Sequence, residues 1–421
     1  MANTRLQRTF SQTATSTKKG TFSCWFKRAS LSGEHDILAS PNGGDGGGNR
    51  SFIRIDSNNN IDFRINNSTN ANITNMVFRD TNAWYHIVLA VDLTQAESED
   101  RLKFYVNGNL ITSYSTQNDP SSSLNISWGQ NNVITDIGYD TTDGGAGYFD
   151  GSMSHIHWID GTAYDASYFG STDATTGEWK INTSPSVTYG TNGFFILKDG
   201  NTITDSSPNS NNFTVGGGTL TKTEDSPSNV FATLNPLASM LAGGTFSNGN
   251  NKILTGATET ASYTSTLGMT TGKYYAEMKA VTIYNGYAQF GIKGRVSVAG
   301  GVGSGTDGYA FYANGGKKVN NGTETAYAGV AWNNNDIIGC AVDLDNNKIY
   351  WSRNGTWINS GDPTSGATGT GAAFTLITPT QGAYFFACSD EDNGAGTANT
   401  FELNFGNGYF GTTAVSSAGT N

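Results

Sequence analysis

Cysteine, histidine and proline are scarce in this chain, with 3, 4 and 8 residues, and charged side chains make up only 14%. Each shortage excludes something. Cys24, Cys340 and Cys388 form no disulfide framework, and no Cys-x-x-Cys or Cys/His zinc spacing occurs. Each of the three lies in an apolar strand pattern and reads as a buried free thiol. The longest basic run is Lys18-Lys19, against a net charge of −11. Phosphate binding rests on clusters of Lys and Arg, so nucleic acid is excluded as a partner, and the acidity reads as plain solubility. Helical periodicity is missing, and no apolar run approaches the ~20 residues of a membrane helix, so no membrane insertion is expected. The opening residues, MANTRLQRTFSQT, lack an apolar h-region, so the chain is expected to be soluble, made in a cytoplasm and without a signal peptide.

What is abundant points to strands and turns. The chain has 54 glycines and an aromatic content of 12%, which is enough to build cores and argues against disorder. Its 421 residues suit two or three domains. TFSCWFKR alternates Phe22, Cys24 and Phe26 against Ser23, Trp25 and Lys27; IDFRI places Ile61, Phe63 and Ile65 inward. WYHIVLAVD, Trp84 to Asp92, is apolar on both faces and reads as a central strand. RLKFYVNGNLITSY is a hairpin turning at Asn107-Gly108. DASYFG reads as one helical turn capped by Asp165. In DIIGCAVDLDNNKIYWSRNG, Ile338, Cys340 and Val342 face one way and Ile337, Gly339 and Ala341 the other, so this strand is covered on both sides. Asn346-Asn347 suits a two-residue turn, and Asn354-Gly355 marks a second. The fold class is all-β: two antiparallel, jelly-roll-like sandwiches joined by a polar linker with short strands. The expected divisions are 1–185, a connecting segment 186–249, and 250–421, with turn signals at Asp225-Ser226-Pro227 and Asn235-Pro236.

Chemistry is sparse. A hydrolase on such a sandwich needs paired carboxylates along one strand face, and no Glu-x-Asp-x-x-Glu strand motif occurs. Glu97, Glu99 and Asp100 form the densest acidic cluster and read as a solvated loop. His155 and His157 share a strand face at a spacing that suits zinc, but no third ligand is evident in sequence, so they read as packing or surface groups. His86 reads as a core histidine. Gly303 to Gly308 fits G-x-G-x-x-G yet precedes a strand rather than a helix, and reads as a flexible loop. Asp136, Asp140, Asp143 and Asp150 fall near loops at one end and are the candidate calcium ligands; no other cofactor is expected. Trp332, beside Asn333 to Asn335, and Trp357, after the Asn354-Gly355 turn, are the candidate ligand-stacking rings, because a ring face flanked by amides suits a sugar.

Three resemblances follow from these motifs. WYHIVLAVD, LKFYVNGNLI and IGYDTTDGGAGYFDGSMSHIHWIDG resemble the laminin-G-like, concanavalin-A-like sandwich, with Trp84, His86, Tyr105, Gly108, Phe149, Asp150 and Gly151 as the matching positions, over roughly Arg5 to Thr183. KYYAEMKA, the DIIGCAVDLDNNKIYWSRNG hairpin and TFELNFG resemble the SPRY domain, over roughly Gly272 to Phe410. The succession WIDGTAYDASYFGSTDATTGEWK, then the stretch from Asp205 to Thr214 with its SPNSNNFT ending, then DSPSNVFATLNPL, resembles virion proteins of marine tailed bacteriophages, often described as tail-fibre-like or lectin-like. This last resemblance implies a non-enzymatic, tail-associated virion protein that attaches to a host-surface glycan or other receptor. Its partners would be that receptor and other virion proteins. The oligomeric state stays open: a homo-oligomer such as a trimer would have to form through sandwich faces or termini, since no coiled coil or β-helical shaft is present. The alternative is a capsid-bound decoration or knob protein acting as an interaction scaffold, and a third reading is a glycan-cleaving enzyme. Fold likeness alone does not separate them.

Overall fold

Alternation along a strand decides which face each residue buries, and in Lys19–Arg28 both faces are buried. Phe22, Cys24 and Phe26 enter the core of a first sandwich, while Trp25 stacks on His86 on the opposite face, ring centroids 4.7 Å apart. The computed structural model describes residues 3–41, 50–66, 69–141, 147–198, 200–238, 243–256, 260–296, 300–327, 329, 331–391, 396–411 and 413–415. It divides into two compact units, residues 1–230 and 231–421. Among the described residues the regular structure is strand, with short 3-10 turns and no α-helix.

In the first unit, an eight-stranded antiparallel sheet runs in the order Tyr114–Gln117, Asn72–Val77, Asn60–Arg64, Arg50–Ile55, His35–Pro41, Ile134–Ile137, Arg5–Thr9, Thr214–Gly217. A six-stranded sheet runs Phe194–Ile196, Gly151–Asp160, Lys19–Arg28, Tyr85–Asp92, Leu102–Val106, Asn109–Leu110. The two share one core, in which Ile53, Ile61 and Phe63 from the first sheet meet Phe22, Leu89, Phe104 and Trp158 from the second. Tyr85–Asp92 is an interior strand, as its two apolar faces demand. The Asn107-Gly108 turn closes Val106 opposite Asn109, with φ of 46° and 81°, the two positive values that a two-residue hairpin with the right twist requires. Ala166–Tyr168 forms one 3-10 turn, and the Asp165 carboxylate accepts from the Ser167 N–H at 2.8 Å.

In the second unit, one sheet runs Thr245–Ser247, Lys252–Leu254, Thr400–Asn404, Lys273–Thr282, Ile337–Asp343, Lys348–Arg353, Thr356–Trp357, with Phe374–Thr375 also pairing Lys348–Arg353. The facing sheet runs Ala261–Thr264, Phe385–Asp390, Ala288–Lys293, Gly308–Tyr312, Lys317–Asn320, Thr323–Ala326. Met278, Ile338, Cys340 and Trp351 of the one meet Phe290, Phe311 and Cys388 of the other. All three cysteines are buried and free, and burial pushes each thiol above its usual range.

The structure departs from sequence expectation at three places. The turn after Ile337–Asp343 is longer than two residues: Asp343 pairs with Lys348, which leaves Leu344 to Asn347 in the loop. Asp343 holds that loop by accepting from the backbone and side-chain nitrogens of Asn346 at 3.0 and 2.9 Å. The Gly303–Gly308 loop is packed rather than flexible. Gly303 is buried, its N–H reaches Gln289 Oε1 at 2.8 Å, and a Cβ there would meet Val319 at 2.7 Å. The connecting segment 186–249 is divided, because residues to Val230 are built into the first unit. Phe194–Ile196 and Thr214–Gly217 each add a strand to its sheets. Between them Asp205 accepts from the backbone N–H groups of Phe195, Ser207 and Asn211. Asp225 is buried against Lys27 at 2.9 Å and accepts from Trp84 Nε1 at 3.2 Å. Buried carboxylates tie this segment down together with Phe194, Ile196, Leu197 and Phe213, which enter the first core, and hydrophobic periodicity does not register the carboxylates.

Fragments 1–230 and 231–421 are each expected to fold, as read by circular dichroism and cooperative melting. A fragment ending at residue 185 loses Phe194–Ile196 and Asp225, leaves Lys27 buried without that carboxylate, and melts at lower temperature or not cooperatively. Ile338, fully buried, gives a second test: Ile338→Asp should cost roughly 3–5 kcal/mol in urea unfolding of fragment 231–421.

Candidate functional site

Three of the four expected calcium ligands lie among the described residues. Asp136 is buried and accepts from the backbone and hydroxyl of Thr141 at 3.3 and 2.6 Å. Asp140 is bound by Arg50 at 2.8 Å. Asp150 has its carboxyl pushed up by burial and lies near the Arg28 guanidinium. Asp143 lies outside the described residues. Among the described residues, no three His, Cys, Asp or Glu side chains form a group that could hold a metal ion.

His86 and His157 lie under a cap. On the outer face of the six-stranded sheet, Ala166, Phe169, Tyr164, Trp179 and Tyr189 form a cover. His86 sits beneath it. The indole N–H of Trp179 can only donate, and it reaches His86 Nδ1 at 3.0 Å. Nδ1 therefore carries no proton; Nε2 carries it and donates to Ser23 Oγ at 2.9 Å. His157 Nδ1 pairs with the Tyr189 hydroxyl at 2.9 Å, and its ring stacks on Phe195 with centroids 3.9 Å apart. His155 takes a positive φ of 49° where the strand bulges against Lys19–Arg28, and its Nδ1 meets Ser154 Oγ at 2.7 Å. The histidines pack and hydrogen-bond, as sequence reading expects.

The two candidate rings separate. Trp332 is only 4% exposed, and its ring packs edge-on to Phe311, centroids 5.1 Å apart. It is a core residue and offers no face to a sugar. The asparagines that made it look like a surface turn build the turn instead: Asn335 takes φ of 70°, and Asn334 Oδ1 accepts from the Ile283 N–H at 2.8 Å. Trp357 is half-buried on the hairpin that turns at Asn354-Gly355, both at positive φ.

Trp357 belongs to a row that sequence reading missed. Ala276, Met278 and Ala280 point into the core, so Tyr275, Glu277 and Lys279 point out. Across five strands the register aligns Asn404, Glu277, Gly339, Ser352 and Trp357 on that outer face. Tyr275, 37% exposed, leans over Gly339: a Cβ there would lie 2.5 Å from its hydroxyl and 2.4 Å from Ser352 Oγ. Its ring meets that of Trp357 at 63°, centroids 6.2 Å apart. Tyr275 donates to Glu277 Oε1 at 2.9 Å, and Asn404 Nδ2 donates to Oε2 at 3.3 Å. Burial first, then the Glu277 charge, holds the Tyr275 hydroxyl above its usual range, so it stays a neutral donor. Two further acids on this face are ion-paired: Glu402 with Lys252 at 3.2 Å and Asp343 with Lys273 at 2.8 Å. The result is a sheet surface with two rings, an amide, a hydroxyl and the Glu277 carboxylate. Such a surface can stack on a sugar ring and bond its hydroxyls.

Comparison with known families agrees with this architecture. Residues 6–167 match the model of the concanavalin A-like lectin/glucanases superfamily, and residues 266–401 match the SPRY domain. The chain thus carries a laminin-G-like domain followed by a SPRY domain, in an all-β protein. No curated protein matches it. Among solved structures, the SPRY domain of human HERC1 is 16% identical, covering 41% of this chain and 98% of that one, at a TM-score of 0.33. A heptameric SAP-like pentraxin from Limulus polyphemus is 17% identical, covering 38% and 71%, at 0.29. A carbohydrate-binding-like protein from Bacteroides ovatus is 18% identical, covering 54% and 59%, at 0.35.

Burial lowers His86 from 6.5 to about 3 and His35 from 6.5 to about 4, and puts His157 well below 6.5. Their ring resonances should therefore not titrate in NMR spectra from about pH 8 to about pH 5, where free histidine does. The unfolded chain takes up protons near 6.5 that the native state refuses. This contribution to stability is complete above 6.5 and is lost as pH falls toward about 3 for His86.

Proposed function

We propose that this chain is a non-enzymatic binding protein of a tailed-phage particle, carried with other virion proteins, and that it attaches to a glycan on the host surface. The outer face bearing Tyr275 and Trp357 is where the polymer lies. One observation carries the glycan part: the in-register row from Asn404 to Trp357, roofed by Tyr275, supplies two rings beside an amide, a carboxylate and a hydroxyl. The row crosses five neighbouring strands, a span that suits the side of a chain polymer rather than a small molecule. The carboxylate of Glu277 is occupied by Tyr275 and Asn404, and Glu402 by Lys252, which supports holding rather than cutting. The phage setting rests on the motif order from WIDGTAYDASYFG to DSPSNVFATLNPL.

The full chain should bind host cells or their surface polysaccharide without shortening the polymer. Tyr275→Ala and Trp357→Ala should each weaken binding by roughly 1–3 kcal/mol, with unchanged melting. Trp332→Ala should instead lower the melting temperature, because it empties a core site. Undiminished binding by the Tyr275 and Trp357 variants removes this face from the reading. Absence of binding by the wild type, with a capsid position in a particle map, favours the decoration role. Shortened polymer sinks the non-enzymatic reading.

A further inference from the structure

Between Ala288–Lys293 and Gly308–Tyr312, the 3-10 turn Val302–Ser304 lies on the outer face of the sheet those strands belong to. Val302 packs there with Ala310, Tyr312, Val319 and Ala387, in a small core separate from the main one. Register places Ser262, Ser389, Gln289 and Tyr312 in one row on that face. Two of the row hold the turn by its backbone. The Val302 N–H donates to Ser389 Oγ at 3.1 Å, and the Gly303 N–H to Gln289 Oε1 at 2.8 Å. The Gly301 carbonyl accepts from Lys293 Nζ at 3.3 Å, and that buried amine also donates to Ser262 Oγ at 2.8 Å.

A carboxyl sits at the same point. Glu391 follows Phe385–Asp390, and Ser389 Oγ donates to its Oε1 at 2.8 Å while accepting from Val302. Gly301 lies so close that a Cβ there would be 1.6 Å from Oε1. Burial pushes the Glu391 carboxyl from 4.5 up to about 7, against the Ser389 hydrogen bond and the Lys293 charge, which favour the anion. Burial pushes Lys293 from 10.5 down to about 8, against the Glu391 charge. The other titratable groups that face this pair come from every neighbouring element. Asp390, beside Glu391, accepts from the Thr255 hydroxyl. Arg295 pairs with Asp307 at 3.3 Å, and Glu324 with Lys317 at 2.6 Å. Tyr312, kept neutral because burial pushes its hydroxyl up to about 12, and Tyr287 complete the set.

We propose that the turn Val302–Ser304 is a pH-sensitive latch on this sheet, fastened in acid and loosest from neutrality to mild alkali. While the turn is closed, Glu391 keeps a proton that it gives up once water reaches it. Its contribution to the closed form is complete below 4.5 and is lost as the pH rises through about 7. Lys293 acts in the opposite sense: its contribution is complete above 10.5 and is lost as the pH falls through about 8. Between the two, closing the turn must bury an anion and a cation together, which costs desolvation of both. The latch lies on the sheet opposite the one that bears Tyr275 and Trp357, and does not rest on the glycan reading.

Hydrogen–deuterium exchange of the full chain tests this, read by mass spectrometry on a peptide spanning residues 300–305 and corrected for intrinsic amide rates. Opening of the turn should rise roughly tenfold or more from about pH 5 to about pH 7, since one linked proton gives up to about tenfold per pH unit. A peptide from Ile337–Asp343 should not follow. Glu391→Gln keeps an oxygen for Ser389 but has no proton to lose, so the rise should vanish. Lys293→Met should keep the rise and move it to higher pH, because the Lys293 charge favours the Glu391 anion. Exchange of the turn that is independent of pH in the wild type overturns the proposal. So does a rise that survives in Glu391→Gln, or one that the Ile337–Asp343 peptide shares, which marks global unfolding. If Glu391→Gln does not fold, Lys293→Met decides: a rise that stays at the wild-type pH overturns the latch.

Discussion

A strand buried on both faces sets the constraint on which each unit depends. Lys19–Arg28 in the first and Ile337–Asp343 in the second are interior strands whose inward residues enter a core shared by two sheets. Their outward residues need cover too, because apolar area left in water forfeits the burial that stabilises the fold. The first unit answers with the hairpin Gly170–Thr172 and Trp179–Ile181 and its neighbours, which lay Phe169 and Trp179 over the His86 layer. The second answers differently. Ile337–Asp343 carries Gly339 and Ala341 on its outer side, and the Tyr275 ring closes over the glycine. A residue with a side chain at position 339 would push Tyr275 and Ser352 away. The same small residue that completes the strand therefore shapes the candidate glycan face.

Buried carboxylates carry out the second organising task. Asp160 accepts from the backbone of Thr15, Ser16 and Asn192, and Asp205 from that of Phe195, Ser207 and Asn211. Asp307 accepts from Thr380 and pairs with Arg295, and Asp343 with Lys273. Loops of glycine, serine and asparagine have few apolar contacts to hold them, and each buried N–H left unmet costs free energy. A carboxylate that meets several of them stabilises such a loop strongly. Acidic side chains in this protein are therefore mostly structural. Glu277 stands apart from these by its place in the outward row.

Asparagine has a parallel role in the backbone. Asn107, Asn354, Asn347 and Asn335 all take positive φ, which few residues with a Cβ adopt readily. At 107 and 354, with a following glycine, this produces the tight hairpins read from sequence. At 335 it produces a turn that carries Trp332 inward, so an amide-flanked tryptophan becomes a core ring. Composition around a ring says that a turn is near; it does not say which way the ring points.

Sequence alone determined the all-β class, the interior strands, the Asn-Gly hairpins, the Asp165 cap and the buried thiols. Each rests on a local rule, alternation or turn chemistry, that a stretch of a few residues satisfies by itself. The same rules separated the stretch from Trp84 to Asp92 as a central strand and named Trp357 as a ring near a turn. Tertiary structure decided the rest. That Asp205 and Asp225 bind residues 190–226 into the first unit depends on partners such as Lys27, far away in the chain. That Asn404, Glu277, Gly339, Ser352 and Trp357 form one row depends on strand register across a sheet. Register is set by how a whole face packs, since a slip of one residue would turn every side chain over. No window of sequence contains that information, which is why Tyr275 and Glu277 became visible only in the folded sheet.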